Sequence, residues 1–231
     1  MQKIILIAGH AYPTGDTGAT IPQTTEARQN VEVVDEVSSL LESKKYNRDD
    51  IRFEIYKCPH ELSGQAEINW VNDRSDNDAI ILSIHHNAEP TGKASGVEAY
   101  YHAGNKKGED LAIKICRKIS EKTGTPNRGA KIESQSQHNS IGIISKTKGT
   151  AVLIECGFLT NPKDQQTILD PNKDNLYSEA IAEALEEFLG IPKPETIPTQ
   201  ETPNSPILEE MKNLVDEFCE RANNLYNKYK K

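Results

Sequence analysis

Residues 4–8 read Ile-Ile-Leu-Ile-Ala, an unbroken apolar run that stops at Gly9-His10. A run this short cannot build a helix of useful length, and uninterrupted apolarity marks a strand covered on both faces. Similar runs recur at residues 51–57, 79–84, 96–102 and 151–155, so the strand candidates are these four and 3–8. Between them lie stretches with helical spacing. Residues 24–43 carry Val31, Val34, Val37, Leu40 and Leu41, and residues 107–123 carry Leu111, Ile115 and Ile119. Residues 175–189 carry Ile181, Leu185 and Phe188 and stop at Gly190, a helix terminator. Strands alternating with helices predict an α/β domain with a twisted, mixed and partly parallel sheet flanked by helices. Residues 124–148 are polar and rich in Gly and Ser, and they read as loops with short strands.

The folded domain is expected to end near residue 190. Five prolines (192, 194, 198, 203 and 206) follow among Thr, Glu and Gln, a composition that makes an extended, semi-stiff linker over 191–206. Residues 207–231 then form a separate helix. The net charge of −8 argues against a general affinity for nucleic acid or an anionic membrane surface. Cys58, Cys116, Cys156 and Cys219 form no C-x-x-C pair, so neither a disulfide framework nor a zinc ribbon is expected. The N-terminal apolar run is shorter than a secretory signal needs and reads as a core strand, so no signal peptide, a cytoplasmic site of synthesis and no membrane insertion are expected.

Metal-capable residues collect where the strand candidates end. His10 follows the first strand, His85 opens His85-His86-Asn87 after the third, and Glu155 closes the last. In an open α/β sheet, ligands gather at the carboxyl ends of strands, so these three are expected on one rim, with Glu26 able to join from the following helix. Two imidazoles and a carboxylate suit a catalytic zinc that keeps one position for water, lowers that water's pKa to about 7 and polarises a carbonyl. A further carboxylate can then carry the proton to the leaving amine. Each residue alone has a plainer reading: a hydrogen-bonded histidine, a carboxylate favoured at a helix start, a carboxylate paired with lysine. Cys156 reads as a small buried residue, since no histidine base can be placed beside it. Trp70 reads as core, Tyr100 and Tyr101 as one buried and one facing the cleft, and His86 as turned away from His85 by strand alternation.

These segments resemble the amidase-3 family of zinc N-acetylmuramoyl-L-alanine amidases from about residue 3 to 189. The shared blocks read here as Gly9-His10, Asp16-Thr17-Gly18-Ala19, Glu26, Ser83-Ile84-His85-His86-Asn87, Asn127-Arg128-Gly129 and Glu155-Cys156-Gly157-Phe158-Leu159-Thr160-Asn161. The resemblance implies His10, Glu26 and His85 as ligands of Zn2+, Glu155 as the catalytic carboxylate, Asn87 as a substrate-binding residue, and bacterial peptidoglycan as substrate. That polymer is anionic, so a chain of this charge must bind it through a local site. There are departures. Ala11-Tyr12-Pro13-Thr14 replaces the usual glycines, Lys57-Cys58 stands where Thr-Arg is common, and no long site-blocking helical insertion is visible. With no export address expected, the chain resembles a phage or prophage endolysin that stays in the cytoplasm until lysis. A host enzyme freed at lysis, a catalytically inactive wall-binding module and a zinc peptidase acting on stem peptides are the alternatives.

The tail adds an expectation of its own. Leu208, Met211, Val215, Phe218, Ala222, Leu225 and Tyr229 recur at spacings of three and four, a heptad seam flanked by charge. An isolated helix of this length is marginal in water and needs a partner. Self-association into a homo-oligomer is the favoured arrangement, ahead of folding back or docking on another protein. Light scattering should therefore give a dimer or larger for the full chain and a monomer for a chain ending at Gly190. Two monomers at micromolar concentration would contradict the self-association.

Overall fold

The N-terminal apolar run becomes β1 (Gln2–Ala8) in the computed structural model, which describes residues 2–13, 15–46, 53–137, 139–173 and 175–192 together with Leu214 and Arg221. A two-strand ribbon of β2 (Thr20–Ile21) and β3 (Thr24–Thr25) leads into α1 (Glu26–Tyr46). Then come β4 (Phe53–Lys57), α2 (Gly64–Asn72), β5 (Ile80–Asn87), β6 (Val97–Tyr101) and α3 (Lys106–Thr123). The chain continues through β7 (Asn127–Ile132), a 3-10 turn at Glu133–Gln135, the single turn α4 (Gly142–Ser145), β8 (Thr150–Phe158), the short α5 (Gln165–Ile168) and α6 (Asn175–Leu189).

Six of these strands form one sheet in the order β4–β1–β5–β8–β6–β7. The first four run parallel, and the β8–β6 pairing is antiparallel, so β6 and β7 run the other way. The mixed, mainly parallel α/β sheet expected from the sequence is therefore present. Side-chain alternation divides the apolar residues between its two faces. Ile4, Leu6, Ile80, Leu82, Ile84, Val152 and Ile154 meet Val34, Val37, Leu111, Ile115, Ile181 and Leu185 of the long helices α1, α3 and α6 in the larger core. Ile5, Ile7, Ile81, Leu153 and Tyr100 meet Ile68 and Val71 of α2 and Ile143 and Ile144 of α4. One face is thus thickly covered and the other thinly.

Local chemistry accounts for the helix ends. Asn105 caps α3 by accepting the backbone N–H of Gly108, and Gly124, at φ 73°, ends that helix in the left-handed conformation a residue without Cβ takes readily. Gly190 follows α6 in the same way, at φ 66°. Ion pairs from Lys122 to Glu179 and Glu183, and from Arg117 to Glu187, join α3 to α6 along their solvent edge.

The boundaries differ from expectation in ways that matter. β5 runs to Asn87 and β8 to Phe158, so His85 sits within its strand and not after it, and Glu155 lies inside β8 and does not close it. The reason is that a strand needs backbone partners, not apolar side chains, and β5 and β8 extend each other's ladder beyond their apolar residues. Trp70 is partly buried against the thinner core under the guanidinium of Arg74. Tyr100 and Tyr101 are both buried, 7% and 9% exposed, on opposite faces, and only Tyr100 borders the cleft. Compact unit boundaries fall at Met1–Pro192 and Lys193–Lys231. The linker residues from 193 on and the seam residues Leu208, Met211, Val215, Phe218, Ala222, Leu225 and Tyr229 lie outside the described residues.

Leu82 is fully buried at the sheet centre, and Ile113 on α3 is 51% exposed. Leu82→Ala should lower unfolding stability by about 2–5 kcal/mol and Ile113→Ala by about 0.5 kcal/mol or less, read from urea midpoints.

Candidate metal centre

His10 stands two residues past β1 with φ at 68°, a left-handed backbone that a non-glycine residue takes at a cost. Four contacts hold it there. The Gly9 N–H donates to Ile84 O at 2.9 Å, extending the β1–β5 ladder, and Asn30 Nδ2 on α1 donates to Gly9 O at 3.0 Å. The His10 ring then lies between two carboxylates, with Nδ1 2.9 Å from Asp16 Oδ2 and Nε2 3.1 Å from Glu26 Oε1. Asp16 is itself set by the Gly18 N–H, which donates to its Oδ1 at 3.0 Å.

Glu26 is the first residue of α1 and only 6% exposed. Its Oε2 accepts the Ala19 N–H at 3.0 Å, while Oε1 takes His10 Nε2, His85 Nδ1 at 3.0 Å and the His86 N–H at 3.3 Å. The two imidazoles meet edge to face with centroids 5.1 Å apart. Glycine is required twice here. A Cβ on Gly9 would overlap the His85 ring, and one on Gly18, at φ 63°, would run into both the Glu26 carboxylate and the His10 ring. Burial works against the Glu26 carboxylate, but the hydrogen bonds from His10 and His85 outweigh it and hold its pKa well below the usual range. Burial likewise disfavours the His10 imidazolium, and Glu26 followed by Asp16 overcomes that, raising His10 to about 9. The centre attracts positive charge strongly.

That attraction, and the donor set, fit a divalent metal. His10, Glu26 and His85 each offer one atom, all within 4.8 Å of one another. Ligand atoms of a tetrahedral zinc with bonds near 2 Å lie about 3.3 Å apart, close to the 3.0 and 3.1 Å separating Glu26 Oε1 from the two ring nitrogens. Asp16 on Nδ1 of His10 is the outer carboxylate that leaves Nε2 as the lone-pair nitrogen. Nothing in the sequence reading assigned Asp16 a role, although it opens the Asp-Thr-Gly-Ala block six residues after His10.

The other expected residues fall around the same cleft, a cavity of about 410 Å3 whose lining includes His10, Glu26, His85, Asn87, Tyr100, Leu153, Glu155 and the stretch from Ile141 to Gly142. Glu155 is the direct ladder partner of His85 across β5–β8. Among the described residues its Oε2 is buried with no hydrogen-bond partner. Burial, with Glu26 and Glu98 adding negative charge, pushes the Glu155 carboxyl well above its ordinary range. Asn87 donates from Nδ2 to Glu98 Oε1 at 3.0 Å and accepts the Ala88 N–H on Oδ1 at 2.8 Å. His86 is buried and directed at Asn30, with Nδ1 2.8 Å from Asn30 Oδ1, and burial lowers its pKa to about 4. Cys156 is fully buried.

A family model described as N-acetylmuramoyl-L-alanine amidase matches residues 4–187. The "Probable cell wall amidase LytH" of Staphylococcus epidermidis is 25% identical over 188 residues, 81% of this chain, which spans 58% of that relative's length. The solved catalytic domain of CwlV, an N-acetylmuramoyl-L-alanine amidase from Bacillus (Paenibacillus) polymyxa var. colistinus, superposes with a TM-score of 0.69 at 22% identity, covering 83% of this chain and 100% of that one. The CwlD amidase of Clostridioides difficile, solved in complex with the GerS lipoprotein, superposes with a TM-score of 0.68 at 22% identity, covering 82% and 99%. At these identities the solved structures speak for the fold.

Because the Asp16 side chain is 67% exposed, Asp16→Ala should fold normally yet weaken zinc binding about 10–100-fold. Titration against a competing chelator reads this directly. An unchanged affinity would mean that the ring of His10 is held without Asp16.

Proposed function

We propose a zinc-dependent hydrolysis of bacterial peptidoglycan for this chain, which belongs to the Amidase_3 family of N-acetylmuramoyl-L-alanine amidases. The bond cleaved is the amide joining N-acetylmuramic acid to the L-alanine of the stem peptide. One observation carries this reading: a three-ligand cluster and a buried carboxyl with an unpartnered oxygen share one open cleft. A zinc ion held by His10, Glu26 and His85 supplies Lewis acidity, acidifying water and polarising the scissile carbonyl.

The chain's own groups do the rest. Asp16 and the loop glycines keep the ligands oriented before substrate arrives, which lowers the reorganisation needed in the reaction. Glu155 Oε2 takes the proton of the attacking water and passes it to the amide nitrogen as the C–N bond breaks. The products are the free carboxylic acid on muramic acid and a stem peptide beginning with the amine of L-alanine. A carboxyl whose ionised form is disfavoured by burial and neighbouring charge is suited to taking up the water's proton. Asn87 keeps one N–H and one lone pair beyond those used by Glu98 and Ala88, enough to contact substrate at the cleft edge.

A catalytically inactive wall-binding module would have no need of an unsolvated carboxyl beside a metal cluster. A zinc peptidase would use the same groups, and product analysis separates the two. Among the described residues no helix is long and apolar enough to cross a membrane. For the biological setting we favour a lytic enzyme of the endolysin type, stored in the cytoplasm until lysis. The cell wall amidase named among its relatives makes wall turnover by the cell's own enzyme the alternative. Addition to intact cells and to purified walls tests which surface it reaches.

Glu155→Gln preserves shape and removes the base. Zinc content should stay at the wild-type level while release of L-alanine-ended peptide from purified peptidoglycan falls roughly 10²–10⁴-fold. His85→Ala should lose the metal and the activity together. A Glu155→Gln enzyme within a few-fold of wild type would assign the proton transfer to another group.

A further inference from the structure

One charged cluster beside the cleft is unused by this chemistry. Glu98 on β6 is 3% exposed and takes four side-chain donors. Asn87 Nδ2 (3.0 Å) and the Tyr100 hydroxyl (2.7 Å) donate to Oε1, and Arg128 Nε (2.5 Å) and Lys131 Nζ (2.6 Å) donate to Oε2. One negative charge thus meets two positive ones, leaving a surplus positive charge in a chain of net −8. The cluster borders the chemistry, because Glu98 is the direct partner of Glu155 across β6–β8 and both Asn87 and Tyr100 line the cleft.

Arg128 joins this cluster through a break in the β6–β7 ladder. Val97 pairs with Asn127, but Glu98 pairs with Gly129, so Arg128 is the extra residue of a bulge, followed by Gly129 at φ 85°. Strict alternation would send Arg128 to the face opposite Lys131, whereas a bulge re-aims its side chain, and here both cations reach the same oxygen of Glu98. The guanidinium also stacks on Phe158, with Cζ 4.9 Å from the ring centroid. Only Nε has a protein acceptor among the described residues, which leaves Nη1 and Nη2 as a planar pair of donors on a fixed group. That is the fork a carboxylate accepts in two parallel hydrogen bonds.

We propose that Arg128 docks a carboxylate of the stem peptide and so selects acidic stems, with Glu98 holding the guanidinium in place and Lys131 keeping the cluster positive. This rests on the amidase reading. An anionic polymer is repelled by the chain's overall charge, but screening confines that repulsion to about 8 Å at physiological salt, so a local surplus charge decides the contact.

The experiment measures binding and turnover on the full, zinc-loaded chain. The probes are an N-acetylmuramoyl tripeptide with free carboxylates and the same compound with those groups converted to carboxamides. Calorimetry on Glu155→Gln should show the carboxylate form binding about tenfold or more tighter than the carboxamide. Adding Arg128→Gln should bring the carboxylate form down to the carboxamide's affinity and leave the latter unchanged. Arg128→Lys, which keeps the charge and loses the fork, should fall between. In the otherwise native enzyme, Arg128→Gln should raise KM for the carboxylate substrate with kcat nearly constant. Equal effects on both probes, or none, would overturn the docking role. If neither probe binds and the native chain releases no L-alanine-ended peptide, the amidase reading fails first and takes the subsite with it.

Discussion

Oε1 of Glu26 is a single buried oxygen that receives two imidazole nitrogens and a backbone N–H from two separate places in the chain. Around it are fixed the exit from β1, the end of β5 and the first turn of α1. An unpartnered carboxylate at 6% exposure would be costly, and this one is tolerated because two imidazoles and two backbone N–H groups are partnered with its oxygens. The same concentration of negative charge that makes the site expensive without a cation makes it selective for one. Two glycines allow the approach, since a methyl group on Gly9 or Gly18 would occupy the space of the rings and the carboxylate. The strained backbone of His10 belongs to the same account, because the ladder bond from Gly9 and the bond from Asn30 hold that geometry from both sides.

The uneven covering of the sheet explains why chemistry is possible there at all. On the thick side, α1, α3 and α6 bury Ile4, Leu6, Leu82 and Ile84 of β1 and β5 completely. On the other side only the short α2 and α4 cover the sheet. The odd-numbered Ser83, His85, Leu153 and Glu155 emerge on this side, and the last three border open space. A strand that alternates apolar and polar residues only over its last turn therefore signals where the cover ends.

Much of this was legible in the chain. Apolar runs and helical spacing are local signals, and they located five of the sheet strands and all three long helices to within a few residues. His10, Glu26, His85 and Glu155 were legible as motif members, and the structure brings them into one cleft. Other features depend on register, which no local pattern encodes. That His85 and Glu155 are ladder partners, and that Glu98 is the neighbour of Glu155 on its other side, follows only from the strand order. The bulge at Arg128 needed Gly129 and the pairing of β7 with β6, and residues 124–148 had read only as loops with short strands. The 3-10 turn and α4 are too short to carry a period.

The register also explains how two carboxylates side by side have their pKa values pushed in opposite directions. Glu98 and Glu155 face each other across β6–β8, the first 3% exposed and the second with its Oε2 buried. Burial alone would push both upward. Glu98 escapes because Arg128, Lys131 and Tyr100 outweigh its burial and hold its pKa below the ordinary value. Glu155 has no such donors, and its neighbours Glu26 and Glu98 are themselves negative, so the same burial raises it well above the ordinary value. Two like residues with environments that drive them apart are what a proton-transfer site needs, one permanent charge to organise the cleft and one carboxyl free to exchange its proton.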